Sequence, residues 1–253
     1  MDLPLFHSVS QHVVDIHSGN THVWVITSSD LRSTDVCDRH ESILSEGEKT
    51  RMRSFRSVHK RHQFVIARAA LRIILSHCMP GSRPEDMVFT TNEYGKPALA
   101  SNPLSLQFNV SHSKNYIAVG VVAQRSIGVD IEYMSSKRDI HKIASHYYHS
   151  NEWNAQLLAA CACDNDIHHR FYTLWVLKEA LIKAQGNGLS VPISDYWFSL
   201  ADLAAPQLHG PDSAESRWQF TCRYIDGDVS LAVARERIAA PGTDSLVMHY
   251  VSI

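Results

Sequence analysis

Two carboxylates stand two residues apart in Ile127-Gly128-Val129-Asp130-Ile131-Glu132. β-branched residues alternate there with glycine and acids, which is the period of a strand. Successive strand side chains point to opposite faces, so Ile127, Val129 and Ile131 face a core and Gly128, Asp130 and Glu132 face the other way. Neighbouring carboxylates repel and invite a cation. Oxygen-only ligands suit a hard ion such as Mg²⁺. The same pattern also fits an edge strand with a solvated acidic face. A third carboxylate, Glu179, lies in Trp175-Val176-Leu177-Lys178-Glu179-Ala180-Leu181-Ile182-Lys183. Positions four apart share a helix face, which puts Trp175, Glu179 and Lys183 on one stripe. Read alone, Glu179 and Lys183 fit an ordinary surface ion pair. Beside the two acids, Glu179 would complete an Mg²⁺ site and Lys183 would suit a phosphate.

Further residues could bind anions. Lys49, Arg51, Arg53, Arg56, Lys60, Arg61, Arg68 and Arg72 form a basic run without Asp or Glu between residues 49 and 72. Arginine forks match phosphate oxygens, although a solvated helix face explains most such runs. Asn109-Val110-Ser111-His112-Ser113 places a hydroxyl beside an imidazole. Adjacent residues on a strand point oppositely, so phosphate donation is the better use than a Ser–His catalytic pair. Tyr94-Gly95-Lys96-Pro97 is a stiff, charged turn that lets backbone approach a ligand.

The elements that must carry these residues follow from pattern. Residues 1–20 read as an irregular lead-in and His22–Thr27 as a strand. Ser45 with Glu48 forms a capping-box pattern for a helix over 46–55. A longer helix is expected over 58–77, with Phe64, Val65, Ala69, Leu71 and Ile74 on its packed face. Strands are expected at 87–91, 104–110 and 116–123, with 111–115 as the last link. Helices are expected over 137–147, 150–160 and 168–185, the last ended by Gly186-Asn187-Gly188. Strands near 194–200, 217–224, 229–235 and 246–252 follow, with a loop over 201–216. The order implies an α+β protein of two halves, 1–125 and 126–253, each a helix on a mostly antiparallel sheet. No residue-level repeat relates them.

The chain has 253 residues, 44% hydrophobic and 20% charged, with a net charge of −2. That is a globular balance with no global field to recruit nucleic acid or anionic membrane. Five cysteines without paired CxxC spacing argue for reduced thiols and a cytoplasmic protein. Neither a secretory signal nor an apolar run of ~18 residues is visible. Sixteen histidines, including His146, His149, His168 and His169, form no convincing ligand set.

Together these motifs resemble the 4′-phosphopantetheinyl transferase superfamily, in its large, monomeric surfactin-synthetase-activator type. The stretches that carry the resemblance are Glu48-Lys49-Thr50-Arg51 with Ala67-Arg68, Tyr94 to Pro97, Phe108 to Ser113, Ile127 to Glu132, Trp175 to Lys183, and Gly186-Asn187-Gly188-Leu189-Ser190. They span about residues 40–200.

The resemblance implies a pseudo-twofold pair of similar α+β halves with coenzyme A in the cleft between them. It implies Mg²⁺-dependent transfer of phosphopantetheine to a serine of an apo acyl or peptidyl carrier protein, releasing adenosine 3′,5′-bisphosphate. Carried over, Asp130, Glu132 and Glu179 are the Mg²⁺ ligands. Arg51, Ser111, His112 and Arg68 bind the 3′-phosphate side. Tyr94, Gly95, Lys96 and Pro97 line the adenine end, and Lys183 holds the pyrophosphate. Glu179 is the candidate base, with a metal-bound water as the other option. From the residues alone, a metal-dependent phosphodiesterase or nuclease and a non-catalytic carrier-binding module are the alternatives.

Overall fold

The computed structural model describes residues 14, 16, 19–28, 34–190, 192–211, 214–237 and 245–253. Most of the expected lead-in, residues 1–20, therefore lies outside the described residues. In chain order the elements are β1 Thr21–Thr27, α1 Thr34–Glu41, α2 Glu46–Ser54, α3 Val58–Cys78, β2 Phe89–Thr91, β3 Pro97–Leu99, β4 Leu106–Ser113, β5 Tyr116–Ala123, β6 Ile127–Tyr133, α4 Ile140–Tyr147, α5 Ala155–Ala159, α6 Asp164–Gln185, β7 Trp197–Ser199, β8 Gln207–His209, α7 Ala214–Arg217, β9 Trp218–Ile225, β10 Val229–Glu236 and β11 Leu246–Ser252. The protein is α+β, with sheets that are largely antiparallel.

Two compact units divide the chain. The first takes residues 1–91, 97–124 and 242–253; the second takes 92–96 and 125–241. The sequence expectation put everything after residue 125 in one half. The structure corrects this, because β11 pairs in parallel with β1 in register Thr21 to Leu246 through Thr27 to Ser252. A central strand needs partners on both edges, and β11 supplies the second one for β1.

In the first unit the sheet order is β11-β1-β5-β4. α3 lies in its core, burying Val65, Ile66, Ala69, Ala70, Leu71, Ile73 and Ile74. Ser57 caps α3 by accepting from the Lys60 N–H. The capping box of α2 is present in both directions, with Ser45 and Glu48 each accepting the other's backbone N–H. β4 runs three residues beyond its expected end. Ser111, His112 and Ser113 pair with Ala118, Ile117 and Tyr116. A two-residue turn at Lys114-Asn115 lets the strands pair to their tips.

The second unit sets α6 on the sheet β6-β10-β9. Phe171, Leu174, Leu177, Ala180, Leu181 and Ala184 of α6 share a core with Phe220, Cys222, Ala232 and Ala234 of the strands. Gly186, at φ 74°, ends α6 in the left-handed conformation expected of a glycine C-cap. α6 begins at Asp164, four residues earlier than expected, and the two preceding helices are shorter. Within the expected loop 201–216, β8 pairs with β7 in a small hairpin.

Candidate active site on the acid strand and the long helix

Gly128 sets the distance between β6 and α6. A Cβ at this position would collide with the Ala180 carbonyl oxygen and the Ala184 amide nitrogen. The helix therefore rests on bare backbone, beside the acids. Asp130 is buried and Glu132 half-buried on the strand, while Glu179 is half-buried on the helix. Ile127, Val129 and Ile131 are buried, as the alternation requires.

The three carboxylates feel one another. Burial pushes the Glu179 carboxyl above its ordinary value, and the charges of Asp130 and Glu132 push it further; Lys183 pulls it back only in part. Lys183 donates from Nζ to Asp130 Oδ1 at 2.6 Å. Arg138 Nη2 lies 3.5 Å from Glu132 Oε1. Among the described residues, no three acid, histidine or cysteine side chains are gathered tightly enough to hold a metal ion as they stand. The two basic side chains on Asp130 and Glu132 supply the positive charge in this arrangement. The surface ion pair that the sequence offered between Glu179 and Lys183 is replaced by the Lys183–Asp130 pair.

The same turn of α6 is tied on an adjoining face by Lys178, the residue before Glu179. Lys178 Nζ sits 2.7 Å from Glu152 Oε1 and donates to the Ile193 and Tyr196 carbonyls at 3.0 and 2.6 Å. Glu152 is fully buried and also accepts the backbone N–H groups of His149 and Phe198. Glu152 has no signature in the sequence, because a lone acid in a polar turn carries no periodic signal. The pair fixes the rotation of α6, and so the direction of Glu179.

Tyr94, Gly95 and Lys96 belong to a turn built on Asn92. Asn92 Oδ1 accepts the N–H groups of Tyr94 and Lys96, and its Nδ2 donates to the Gly186 carbonyl at 2.9 Å. Gly95 takes φ 85°, a conformation open to glycine. Tyr94 is exposed and Pro97 opens β3. The Lys96 ammonium points inward and donates to the Ile127 and Ala184 carbonyls at 3.2 and 3.0 Å. The two motifs Asn92–Lys96 and Gly186–Gly188, far apart in sequence, are thus packed together.

In the first unit half of the basic run, Lys49, Arg53, Arg68 and Arg72, is paired with acids. Arg68 Nε and Arg72 Nη2 each lie 2.7 Å from Glu48. Arg72 also donates to the Pro84 and Met87 carbonyls, both at 2.9 Å. Burial works to raise the Glu48 carboxyl, but the Ser45 N–H and the two guanidiniums hold it below its ordinary value. Lys49 pairs with Glu46 and Arg53 with Glu41. Arg61 donates to the Phe55 carbonyl. Arg51 is exposed, its guanidinium 5.5 Å from the Phe64 ring centroid, and makes no ion pair among the described residues. Of the phosphate candidates, the structure thus sets Arg51 apart from Arg68. Ser111 is buried and His112 exposed, on opposite faces of β4. That placement agrees with the argument against a Ser–His pair.

Comparison with known proteins agrees with this arrangement of elements. Residues 33–124 match the family model described as 4′-phosphopantetheinyl transferase, N-terminal, and residues 126–234 match that of the 4′-phosphopantetheinyl transferase superfamily. The match runs through β9 and β10, beyond the stretch legible in the motifs. The chain is 30% identical over 184 residues to the 4′-phosphopantetheinyl transferase ffp of Bacillus subtilis, covering 71% of this chain and 79% of that one. It is 30% identical over 177 residues to the 4′-phosphopantetheinyl transferase Sfp of Bacillus subtilis (strain 168), covering 70% and 75%. The gsp transferase of Aneurinibacillus migulanus is 36% identical over 113 residues, but the match covers only 44% of its length.

The chain belongs to the 4′-phosphopantetheinyl transferase superfamily. Its activity is transfer of phosphopantetheine from coenzyme A to a carrier protein. Among the described residues, no helix is long and apolar enough to cross a membrane.

Proposed function

We propose that the second unit carries the chemistry of this transfer, with Asp130, Glu132 and Glu179 holding Mg²⁺. The observation that carries the reading is the electrostatic cluster of these three carboxylates across Gly128, where α6 meets β6. The donor set fits a hard cation, since all three ligands are carboxylate oxygens. When bound, Mg²⁺ would supply positive charge to the pyrophosphate as its bond breaks. Lys183 then leaves Asp130 and takes a phosphate oxygen, exchanging one anion for another.

The remaining steps belong to the chain's own residues. The carrier serine Oγ forms a bond to the phosphorus bearing pantetheine. The bond from that phosphorus to the nucleotide half breaks, and adenosine 3′,5′-bisphosphate leaves. The serine proton goes to Glu179, the carboxylate that α6 carries beside the two strand acids. In the first unit, exposed Arg51 is the leading contact for the 3′-phosphate, with exposed His112 as a further donor. Arg68 acts through Glu48 instead. Tyr94 and Gly95 line the adenine end, as Pro97 stiffens the turn. We read the protein as a cytoplasmic monomer without nucleic-acid partners; the unpaired thiols Cys78, Cys161, Cys163 and Cys222 fit the reducing compartment in that reading.

The test is incubation with coenzyme A, an apo carrier and either Mg²⁺ or a chelator. The expected result is a phosphopantetheine mass gain on the carrier serine that requires the metal, with adenosine 3′,5′-bisphosphate as co-product. Full transfer in the presence of chelator would remove Mg²⁺ from the reaction. A panel of fatty-acid, polyketide and peptide-synthetase carriers would identify the pathway served.

A further inference from the structure

The Lys96 side chain has an unusual placement for a residue of a substrate-side turn. Its ammonium donates to the carbonyl of Ile127, on the strand that carries Asp130 and Glu132. It also donates to the carbonyl of Ala184, on the helix that carries Glu179 and Lys183. One cation therefore joins the two elements from which the acid cluster is assembled. The joint lies where Gly128 lets strand and helix touch, since Ala184 is one of the residues a Cβ on Gly128 would strike. A Cβ on Gly186 would in turn come within 2.9 Å of Lys96 Cδ. Asn92 adds a second tie, from the same turn to the Gly186 carbonyl at 2.9 Å.

The chemistry suits the position. The last carbonyls of a helix lack intrahelical donors and carry partial negative charge, so a cation there is favourable. Burial lowers the Lys96 ammonium to about 8, which marks it as withdrawn from solvent. Its donors are already directed at two carbonyls, so reaching a coenzyme A phosphate would cost both bonds.

We propose that Lys96 is a positioning residue: it bridges β6 to the C-terminal turn of α6 and so holds Asp130, Glu132 and Glu179 in register, rather than contacting coenzyme A. This rests on the reading of those acids as the metal-holding cluster. Supporting groups around a metal site typically contribute about 10–100-fold in affinity or rate, which sets the size of the effect.

The experiment compares wild type with Lys96→Met and Lys96→Arg. Mn²⁺ binding is followed without coenzyme A from the electron paramagnetic resonance signal of the free ion. Transfer is assayed over ranges of coenzyme A and Mg²⁺. Lys96→Met should bind Mn²⁺ about tenfold more weakly and lose about tenfold or more in kcat, with KM for coenzyme A within about threefold of wild type. Lys96→Arg, which keeps charge and donors, should recover most of both losses. A tenfold or larger rise in KM with unchanged kcat and Mn²⁺ affinity would make Lys96 a substrate ligand and overturn the proposal. Unchanged values throughout would overturn it as well. Should Lys96→Met fail to fold, Lys96→Gln retains a donor for one carbonyl and is judged by the same comparison. If wild type itself takes up no Mn²⁺, the metal assignment fails, and the division of the loss between kcat and KM decides the role of Lys96.

Discussion

Arg51 and Arg68 occupy one basic run and have different environments. Arg68 is spent on Glu48, whereas Arg51 presents its guanidinium to solvent over the Phe64 ring. Arg51→Ala should weaken coenzyme A by about 1.5–3 kcal/mol, the worth of a charge-assisted contact, and 3′-dephospho-coenzyme A much less. Calorimetric titration of both ligands separates the cases; an equal loss with both would remove Arg51 from the 3′-phosphate. Glu179 is the complementary case, an acid made uncomfortable by burial and by its neighbours. Glu179→Gln should raise the melting temperature of the metal-free protein, because one of three repelling charges is gone. The same variant at saturating Mg²⁺ should keep kcat about 10²–10⁴-fold low if Glu179 takes the serine proton. Near-complete recovery of kcat by Mg²⁺ would leave Glu179 as a ligand only.

At the scale of elements, the decisive contact is between β6 and α6 at Gly128. Gly128→Ala must push the helix away from the strand, an overpacking expected to cost about 1–3 kcal/mol. It should also reduce transfer more than a comparable loss of stability elsewhere, because Glu179 and Lys183 move with the helix. Urea unfolding and carrier assays on the soluble variant check both halves. Gly128 was legible in the sequence as a member of the acidic face, but the need for glycine there was not. Alternation reports which face a residue takes, whereas close approach depends on what packs above it. The capping box at Ser45 and Glu48 and the glycine stop at Gly186 were readable, because both are local chemistry. The commitments of Lys96, Glu152 and Glu48 were hidden, because each joins residues distant in sequence. The basic run looked uncompensated for a different reason: counted from Lys49, it leaves out its counter-ions Glu41, Glu46 and Glu48, which stand just before it.

For the whole molecule, burying Lys96 leaves a mark on the dependence of stability on pH. Its folded value, about 8, lies below its ordinary value of 10.5. Between these values the unfolded chain binds more protons, so the Lys96 contribution rises as pH increases from 8 to 10.5 and is lost as pH falls through 8. Lys96→Met should flatten that rise, read as the shift in urea midpoint between pH 7.5 and 9.5 relative to wild type. The α+β class and the two long helices were legible from periodicity. The path of the chain was not, since nothing in Leu246–Ser252 distinguishes a partner of β1 from a partner of any other strand. β1 and β11 are separated by the entire second unit. During synthesis, β1 emerges early and waits while residues 125–241 are made. The second unit has all its strands before the first sheet can be completed. The order of birth of the two units is thereby reversed: the part of the protein begun first is finished last, and its unpaired strand edge is what a nascent-chain chaperone would meet.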